Sequence, residues 1–154
     1  MLIRKATLED TEQLRPLFAG SLENMARLQP RQYRAAEQDL AFIQAGIVQE
    51  NGDVLVLEAE GKIVGLASVF VEQASPLPFR VQQSYCELDT LYVLEGYRNR
   101  GFGMALLEAA RVWAKEHGCA SLQLMTLGEN TGAQRLYARA GMRPHKIIYI
   151  QEEL

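Results

Sequence analysis

Two arginines and two glycines stand immediately before an amphipathic stretch in the sequence EGYRNRGFGMALL, residues 95–107. A helix that begins here offers unpaired backbone N–H groups and the positive end of its dipole, and both favour a phosphate group. Gly101 and Gly103 carry no Cβ, so an anion can approach their backbone closely. Arg98 and Arg100 add positive charge. The segment predicts a phosphate-binding turn, and its alternative is a capped turn with two solvated arginines.

Three known phosphate-binding patterns can be compared with this turn. A Walker loop ends in Gly-Lys-Ser/Thr, and GFGMA has neither the lysine nor the hydroxyl. A dinucleotide fingerprint needs a third glycine directly after the first strand, whereas this turn lies late in the chain. The pattern Arg/Gln-x-x-Gly-x-Gly/Ala fits Arg98, Gly101 and Gly103. The turn by itself indicates an anion without naming it.

Charge is unevenly distributed along the chain. The formal net charge of −3 argues against general nucleic-acid binding. Residues 96–146 carry eight Lys/Arg and three Asp/Glu, an excess of five positive charges, and the other residues carry eight Lys/Arg and sixteen Asp/Glu, an excess of eight negative charges. This asymmetry favours a polyanionic ligand together with a cationic co-substrate.

The elements that must position the turn follow from the periodicity of apolar residues. Strands are predicted at 2–7, 85–93, 121–127 and 145–154, a hairpin at 53–72, and helices from Leu8, within 31–48, over 101–117 and over 131–140. Residues 20–30 are predicted to be a loop or a broken helix, and Thr7 with Asp10 is predicted to cap the first helix. The order of elements indicates an α/β fold with a mixed sheet, whose one long βαβ crossover surrounds the glycine turn.

Length and composition set the class of protein. A chain of 154 residues, 48% hydrophobic, predicts a single domain over residues 1–154. No apolar run approaches the roughly 20 residues of a membrane span, and the N-terminus becomes charged too soon for a secretory signal, so we expect a cytoplasmic protein without a membrane partner.

Cys86 and Cys119 have apolar neighbours and no metal-ligand spacing. They predict buried free thiols and no metal site, with a disulfide as the alternative.

Two motifs together resemble a known family. LYV at 91–93 followed by GYRNRGFGMALL, and NTGAQRLYARAGM at 130–142, are similar to the two signatures of the GNAT superfamily of acyl-CoA-dependent N-acetyltransferases. Met142 stands where the family usually has phenylalanine, which is a tolerated apolar exchange. The order of elements also matches over nearly the whole chain. The resemblance implies a GNAT fold, with a mixed, mostly antiparallel sheet splayed at the CoA site and about four flanking helices.

The resemblance implies that acetyl-CoA is the co-substrate. The pantetheine arm would bond to main-chain groups of the strand before the turn, and the pyrophosphate would rest on backbone N–H groups of Arg98–Met104. Asn130 either caps the last helix or bonds the pantetheine arm. The implied CoA-binding residues are Leu91, Tyr92, Val93, Arg98, Asn99, Arg100, Gly101, Phe102, Gly103, Met104, Asn130, Ala133 and Tyr137.

Acyl transfer from a thioester to an amine needs a neutral amine, a polarised carbonyl and a proton for the departing thiolate. It requires no covalent enzyme intermediate, so neither cysteine needs a catalytic role. Tyr137 matches the signature tyrosine, which implies a general acid, and an unperturbed tyrosine pKa near 10 suits that task. Its helical spacing alone would make it a core aromatic residue.

Two acidic residues of one strand are candidates for the general base, and the sequence does not decide between them. Alternation in YCELDTLYV places Glu87, Asp89, Leu91 and Val93 on one face, unless a bulge shifts the register. The resemblance matches Glu87 to the base of histone-type members and Asp89 to the base of some small-amine members. Either residue can instead hold the substrate ammonium, and a water chain is the third option.

The acceptor is implied only as a primary amine on a small molecule, a peptide or a protein. Family members build the acceptor pocket from two connections, which makes Tyr33, Arg34, Phe79 and Arg80 candidate contacts, with ordinary loop residues as their alternative. The oligomeric state is open, and a homodimer is one expected state. A catalytically silent acyl-CoA-binding regulatory module is the alternative function.

Overall fold

A computed structural model describes all residues from 1 to 154. Its elements are β1 (Leu2–Lys5), α1 (Thr11–Leu28), α2 (Leu40–Val48), β2 (Gly52–Ala59), β3 (Lys62–Gln73), β4 (Ser84–Val93), α3 (Phe102–Glu116), β5 (Leu122–Gln123) and α4 (Thr131–Arg139). Short 3-10 turns, Leu8–Asp10 and Glu95–Tyr97, precede α1 and α3. None of the helices combines the length and the apolar composition that crossing a membrane requires.

The five strands form one sheet in the order β1-β2-β3-β4-β5. Neighbouring strands are antiparallel except β4 and β5, which are parallel and are joined by the crossover helix α3. The predicted hairpin is confirmed as β2 and β3, with Glu60 and Gly61 at φ values of 54° and 78° in its turn. Two successive left-handed residues suit the twist of a tight hairpin. The expected mixed, mostly antiparallel sheet with four helices is therefore confirmed.

Each face of the sheet carries its own apolar core. One core joins the sheet to α3, with α4 at its margin, and its members include Val64, Leu88 and Leu106. The other joins the sheet to α1 and α2 and includes Leu14 and Ile43. The two cores define an α3 face and an α1–α2 face of the sheet. The packing follows from helical periodicity, because residues three and four positions apart share one side of a helix.

Asp10 ties β1 to the start of α1. Its carboxylate accepts hydrogen bonds from both terminal nitrogens of Arg4, at 2.7 and 2.9 Å, and from the Thr7 N–H at 2.8 Å. The hydrogen bonds from Arg4 are the main reason that the pKa of Asp10 is lowered. The helix predicted from Leu8 thus begins as a 3-10 turn and becomes α-helical at Thr11.

The prediction of a loop or a broken helix over residues 20–30 is wrong, because α1 continues without a break to Leu28. The segment SLENMARL consists mostly of strong helix formers, which outweigh the cost of Gly20. A Cβ at Gly20 would overlap the hydroxyl of Tyr92 on β4, so glycine lets α1 lie close to the sheet. The second helix begins only at Leu40, where the Asp39 carboxylate accepts the N–H of Phe42 at 2.8 Å.

Two predicted strands differ from the structure. The strand expected over 121–127 is reduced to β5, Leu122–Gln123, and the final strand expected over 145–154 is not formed. No backbone-to-backbone hydrogen bond involves a residue beyond Met142. Both sequences have strand composition, but a strand exists only where a neighbouring strand pairs with its backbone groups.

Candidate active site

The parallel strands β4 and β5 separate soon after they meet. They pair only at Cys86 with Leu122 and at Glu87 with Gln123. Further along β4, the N–H of Leu94 bonds the Val64 carbonyl on β3 at 2.9 Å. Because backbone groups of an antiparallel strand alternate in direction, those of Leu91 and Val93 point away from β3 into the opening. We call this opening the β4–β5 gap.

A β-bulge interrupts β4 just before the gap. Ser68 of β3 pairs with Thr90, whereas the next residue, Val69, pairs with Leu88, so Asp89 is the extra residue. A bulge of one residue exchanges the faces of all side chains that follow it. Asp89 itself is exposed.

The bulge overturns the prediction that Glu87, Asp89, Leu91 and Val93 share one face. Leu88 packs in the core of the α3 face, so its neighbour Glu87 points to the α1–α2 face. Beyond the bulge, Leu91 and Val93 pack against the core of the α3 face, and Tyr92 packs against the other core. Glu87 therefore lies on the opposite face of β4 from Leu91 and Val93.

Glu87 is a half-buried carboxyl held by a neighbour that the sequence did not reveal. Gln123 of β5 donates its side-chain amide to Glu87 Oε2 at 2.8 Å. Burial raises the pKa of Glu87, the nearby charges of Asp89 and Glu72 raise it further, and the hydrogen bond from Gln123 and the charge of Lys146 oppose these effects. A carboxyl with a raised pKa is a stronger base once it is ionised.

The glycine turn presents free backbone donors. Gly101 precedes α3 with a φ of 80°, and Asn99 also has a left-handed φ of 62°. The backbone N–H groups of residues 99–104 donate to no acceptor within the protein. A Cβ at Gly101 would meet no other atom within 4 Å, so the turn is open on that side. Free N–H groups at a helix start fit a phosphate or pyrophosphate group.

The arginines of this turn are oriented rather than freely solvated. Arg98 donates its Nε to the Val93 carbonyl at 2.9 Å, and its guanidinium lies 5.3 Å from the centre of the Tyr92 ring. Arg100 lies 5.0 Å from the centre of the Tyr97 ring and pairs with Glu60 at 3.5 Å. The Arg98 contact uses one of the two lone pairs of the Val93 carbonyl, so the N–H of Val93 is the less engaged of its two backbone groups on the gap side.

Helix α4 lies against the start of α3. A Cβ at Gly103 would approach the Leu136 side chain to 3.3 Å, so glycine permits the close packing of these helices. The next residue, Tyr137, packs against the core of the α3 face together with Leu91 and Val93. Burial raises the pKa of Tyr137, and no hydrogen bond or charge of the protein acts on its hydroxyl. That hydroxyl is therefore free to donate a proton or a hydrogen bond.

Asn130 caps α4, which was one of its two predicted roles. Its Oδ1 accepts the N–H of Ala133 at 3.2 Å. The preceding residue, Glu129, accepts a hydrogen bond from the Gln29 amide at 2.8 Å, so the end of α1 is joined to the start of α4. No motif indicated this second contact, because the two residues are 100 positions apart.

The candidate acceptor residues lie on two separate connections. Tyr33 and Arg34 lie between α1 and α2, and Phe79 and Arg80 lie between β3 and β4. None of the four contributes to the pKa shifts of Glu87 or Tyr137. Their role in acceptor binding stays a prediction.

Both cysteines are free thiols. Cys86 is buried, as predicted, whereas Cys119 is only half-buried. Burial is the main reason that the pKa of Cys86 is raised to about 12, and burial also raises the pKa of Cys119. Neither sulfur is a thiolate near neutral pH. No group of three His, Cys, Asp or Glu side chains is placed to hold a metal ion.

Comparison with known proteins agrees with this geometry. A sequence model of the acetyltransferase (GNAT) family matches residues 19–142. The fold and the match define an acyltransferase of the N-acetyltransferase class. The chain belongs to the GNAT family, as its two motifs predicted.

Individual relatives extend the comparison over most of the chain. The uncharacterized N-acetyltransferase YhfO of Bacillus subtilis (strain 168) is 29% identical over 141 residues, which cover 92% of this chain and 89% of that protein. A mutant of the BH1408 protein from Bacillus halodurans has a similar structure, with a TM-score of 0.94 and 27% identity over 100% of both chains. The aminoglycoside N-acetyltransferase AAC(6')-Iy, in complex with CoA, shares the fold with a TM-score of 0.75 and 20% identity over 99% of this chain and 95% of that chain.

Proposed function

We propose that this protein transfers an acetyl group from acetyl-CoA to a primary amine by direct attack of the amine on the thioester. The observation that carries the proposal is the set of free N–H groups at residues 99–104, next to the free main-chain edge of β4. These two features match the two polar parts of CoA, a pyrophosphate and an amide-containing arm. The CoA complex of AAC(6')-Iy, which has the same fold, supports this choice of donor.

The pyrophosphate is assigned to the glycine turn. The free N–H groups at the start of α3 and the dipole of that helix supply the positive potential. Within the protein, Arg98 donates a hydrogen bond only from its Nε, so its two terminal nitrogens are available to the phosphate oxygens. The pantetheine arm is assigned to Leu91 and to the N–H of Val93, where it takes the place of a neighbouring strand.

Tyr137 and Glu87 are assigned as acid and base. Tyr137 packs on the α3 face of the sheet and Glu87 projects from the α1–α2 face, which supports access to an acyl group from two sides of the gap. Glu87 takes a proton from the amine as the nitrogen–carbon bond forms. Tyr137 gives a proton to the sulfur as the carbon–sulfur bond breaks. Asp89 is not assigned as the base, because it is exposed on the bulge.

Transfer without an acyl-enzyme is supported by the cysteines. The Cys86 thiol is buried and its pKa is about 12, so it is not a nucleophile at neutral pH. Two free cysteines also favour a reducing compartment, and we therefore assign the protein to the cytoplasm.

The acceptor is a cationic primary amine in this proposal. The charge of Asp89 and that of Glu72, on the neighbouring strand β3, both act on the carboxyl of Glu87, so three carboxylates lie around this position. Their negative potential attracts a protonated amine, which loses its first proton to solvent and, as the neutral amine attacks, its second proton to Glu87.

The proposal is tested by measuring thiol release from acetyl-CoA with a panel of amines. The panel contains small polyamines, an aminoglycoside, free amino acids and peptides with either a free N-terminus or an internal lysine. We expect turnover with at least one of these classes. Replacing Tyr137 by phenylalanine should lower kcat by roughly 100-fold with little change in CoA affinity, because it removes a proton donor and little contact area.

Tyr97→Phe is the matched control. It removes another tyrosine hydroxyl, whose partner is Glu60 at 3.0 Å, and should leave kcat unchanged. Tight CoA binding with no turnover on any amine would contradict the proposal and would favour a regulatory acyl-CoA-binding module.

A further inference from the structure

Gln123 is the last residue of β5 that pairs with β4, so it lies at the closed end of the β4–β5 gap. Its partner across the two strands is Glu87. Leu122 and Leu124, on either side of Gln123, both pack against the core of the α3 face. Because side chains alternate along an extended chain, Gln123 points to the α1–α2 face, which is also the face of Glu87. The strand register therefore makes these two polar side chains neighbours.

The contact between the two side chains has a fixed direction. Gln123 donates its Nε2 to Glu87 Oε2 at 2.8 Å. An ionised carboxylate only accepts hydrogen bonds, so the amide nitrogen of Gln123, and not its oxygen, must face Glu87. Glu87 accepts no other hydrogen bond from the protein, so its Oε1 remains available to a ligand.

The sheet holds the backbone of Gln123 in place. The Cys86 N–H donates to the Ser121 carbonyl at 2.8 Å, and the Ala120 N–H donates to the Ser84 carbonyl at 2.8 Å. These bonds join β5 to β4 on the residues directly before Gln123. The amide is therefore presented by a paired strand, which is a more precise support than a loop.

We propose that Gln123 is the positioning residue of the general base. By holding Oε2 of Glu87 it leaves Oε1 as the oxygen that meets the amine, and it favours the ionised carboxylate that takes the proton. This role rests on the proposed function, in which Glu87 is the base. Gln123 itself touches neither the thioester nor the amine and acts only through Glu87.

A base on a long side chain needs such a support. A glutamate has several rotatable bonds, so a carboxylate without a partner occupies many orientations. Proton transfer requires that the base lies within hydrogen-bond reach of the proton, and a displacement of about 1 Å can lower a rate by about 100-fold. One hydrogen bond to Oε2 removes most of these orientations while Oε1 stays free.

The pH dependence of the base follows from its surroundings. Four other titratable groups lie close to the Glu87 carboxyl, namely Asp89 and Cys86 on the same strand, Glu72 on β3 and Lys146 in the segment after α4. The two carboxylates raise the pKa of Glu87, the lysine lowers it, and the thiol is neutral at neutral pH. The hydrogen bond from Gln123 also lowers this pKa, so its removal should raise the pKa.

Gln123→Met is the variant that tests the role, because methionine has a similar length and volume and no donor. We expect the acidic limb of kcat/KM to move to higher pH. We also expect kcat above that limb to fall by roughly tenfold, because the carboxylate is no longer oriented. A higher pKa by itself makes a carboxylate a stronger base, so a lower plateau reports lost orientation. The KM for the amine should change little, since no charge is removed.

Gln49→Met is the matched control. Gln49 is also half-buried and donates its side-chain amide, to the Gly46 carbonyl at 3.1 Å at the end of α2. Its replacement should leave the limb and the plateau unchanged. A Gln123→Met protein with the kinetics of the wild type overturns the positioning role. A lower plateau without a shift of the limb overturns it as well, as does a shifted limb with an unchanged plateau.

Titration of the Glu87 carboxyl by carbon-13 NMR separates this role from the proposed function, because it needs no turnover. The pKa of Glu87 should be higher in Gln123→Met than in the wild type and in Gln49→Met. An equal pKa in all three proteins overturns the positioning role and leaves the acetyl transfer intact. A Glu87→Gln protein as active as the wild type instead overturns the assignment of Glu87 as the base, and the positioning role is then overturned with it.

Discussion

Glu87 and Asp89 are two positions apart on the same strand, yet the bulge gives them different environments. Glu87 is half-buried and bonded to Gln123, whereas Asp89 is exposed. Burial and neighbouring negative charge raise the pKa of Glu87. The two residues were equivalent candidates in the sequence, and their surroundings now favour Glu87 as the base.

The pH dependence of kcat/KM separates the two carboxyls. A base must be ionised to act, so activity should rise with pH through the pKa of Glu87, above the usual glutamate value of about 4.3. Glu87→Gln should lower kcat/KM by roughly 100-fold. Asp89→Asn removes a charge that raises the Glu87 pKa and that attracts the amine, so the acidic limb should move to lower pH, with kcat preserved and the KM for the amine raised. Loss of activity in Asp89→Asn but not in Glu87→Gln would assign the base to Asp89.

The glycine turn and the helix that follows it could be predicted from the sequence, because the residues that determine them are close together in the chain. Arg98, Gly101 and Gly103 lie within six positions, and their spacing directly describes the start of a helix. Gln123 and Glu129 were not predictable, because their partners lie 36 and 100 positions away. Contacts of that kind depend on strand register and on the docking of elements, which no short motif contains.

At the scale of elements, helices were predicted more reliably than edge strands. Helices α3 and α4 follow the periodicity within a few residues, because a helix satisfies its own backbone. The strand expected over 121–127 is shortened to two residues, and the strand expected over 145–154 is not formed. Both depend on pairing with a second strand, which the sequence of the segment does not determine. The bulge at Asp89 was anticipated only as a general exception, and its position depends on how β3 and β4 pair.

The junction between β1 and α1 gives a prediction about stability. Asp10→Asn replaces the carboxylate that accepts hydrogen bonds from the Arg4 side chain and from the Thr7 N–H. The substitution should lower the free energy of unfolding by about 1–3 kcal/mol at pH 7. The pKa of Asp10 is lower in the folded state than its unfolded value of about 3.9, so this contribution is complete above that value and is lost as pH falls through the folded pKa. Urea unfolding at neutral and at acidic pH measures it.

Glu12→Gln is the control for this prediction. Glu12 is exposed and pairs with Arg15 at 3.3 Å, three positions away on the helix surface. A pair of this kind contributes at most about 0.5 kcal/mol. An Asp10→Asn protein as stable as the wild type at neutral pH, or equally destabilised at every pH, would contradict the assigned role of Asp10.

At the scale of the whole molecule, opposite charges are assigned to the two substrates. The positive excess over residues 96–146 includes the glycine turn and α4, where the anionic donor is proposed to bind. The acidic side of β4 is proposed to receive the amine. The motifs indicated the donor because the proposed CoA site is a local turn, whereas the proposed acceptor surface combines distant connections that carry no common pattern.

The glycine turn is proposed to bind CoA, and calorimetric titration of CoA measures that binding. Gly101→Glu places a negative side chain at the open turn, where a Cβ meets no atom within 4 Å. Gly118→Glu is the matched control, since Gly118 has a similar φ of 70° and the same open surroundings at the other end of α3. We predict measurable CoA binding to the wild type and to Gly118→Glu, and none to a folded Gly101→Glu protein. Equal affinity in all three proteins would exclude the glycine turn as the CoA site.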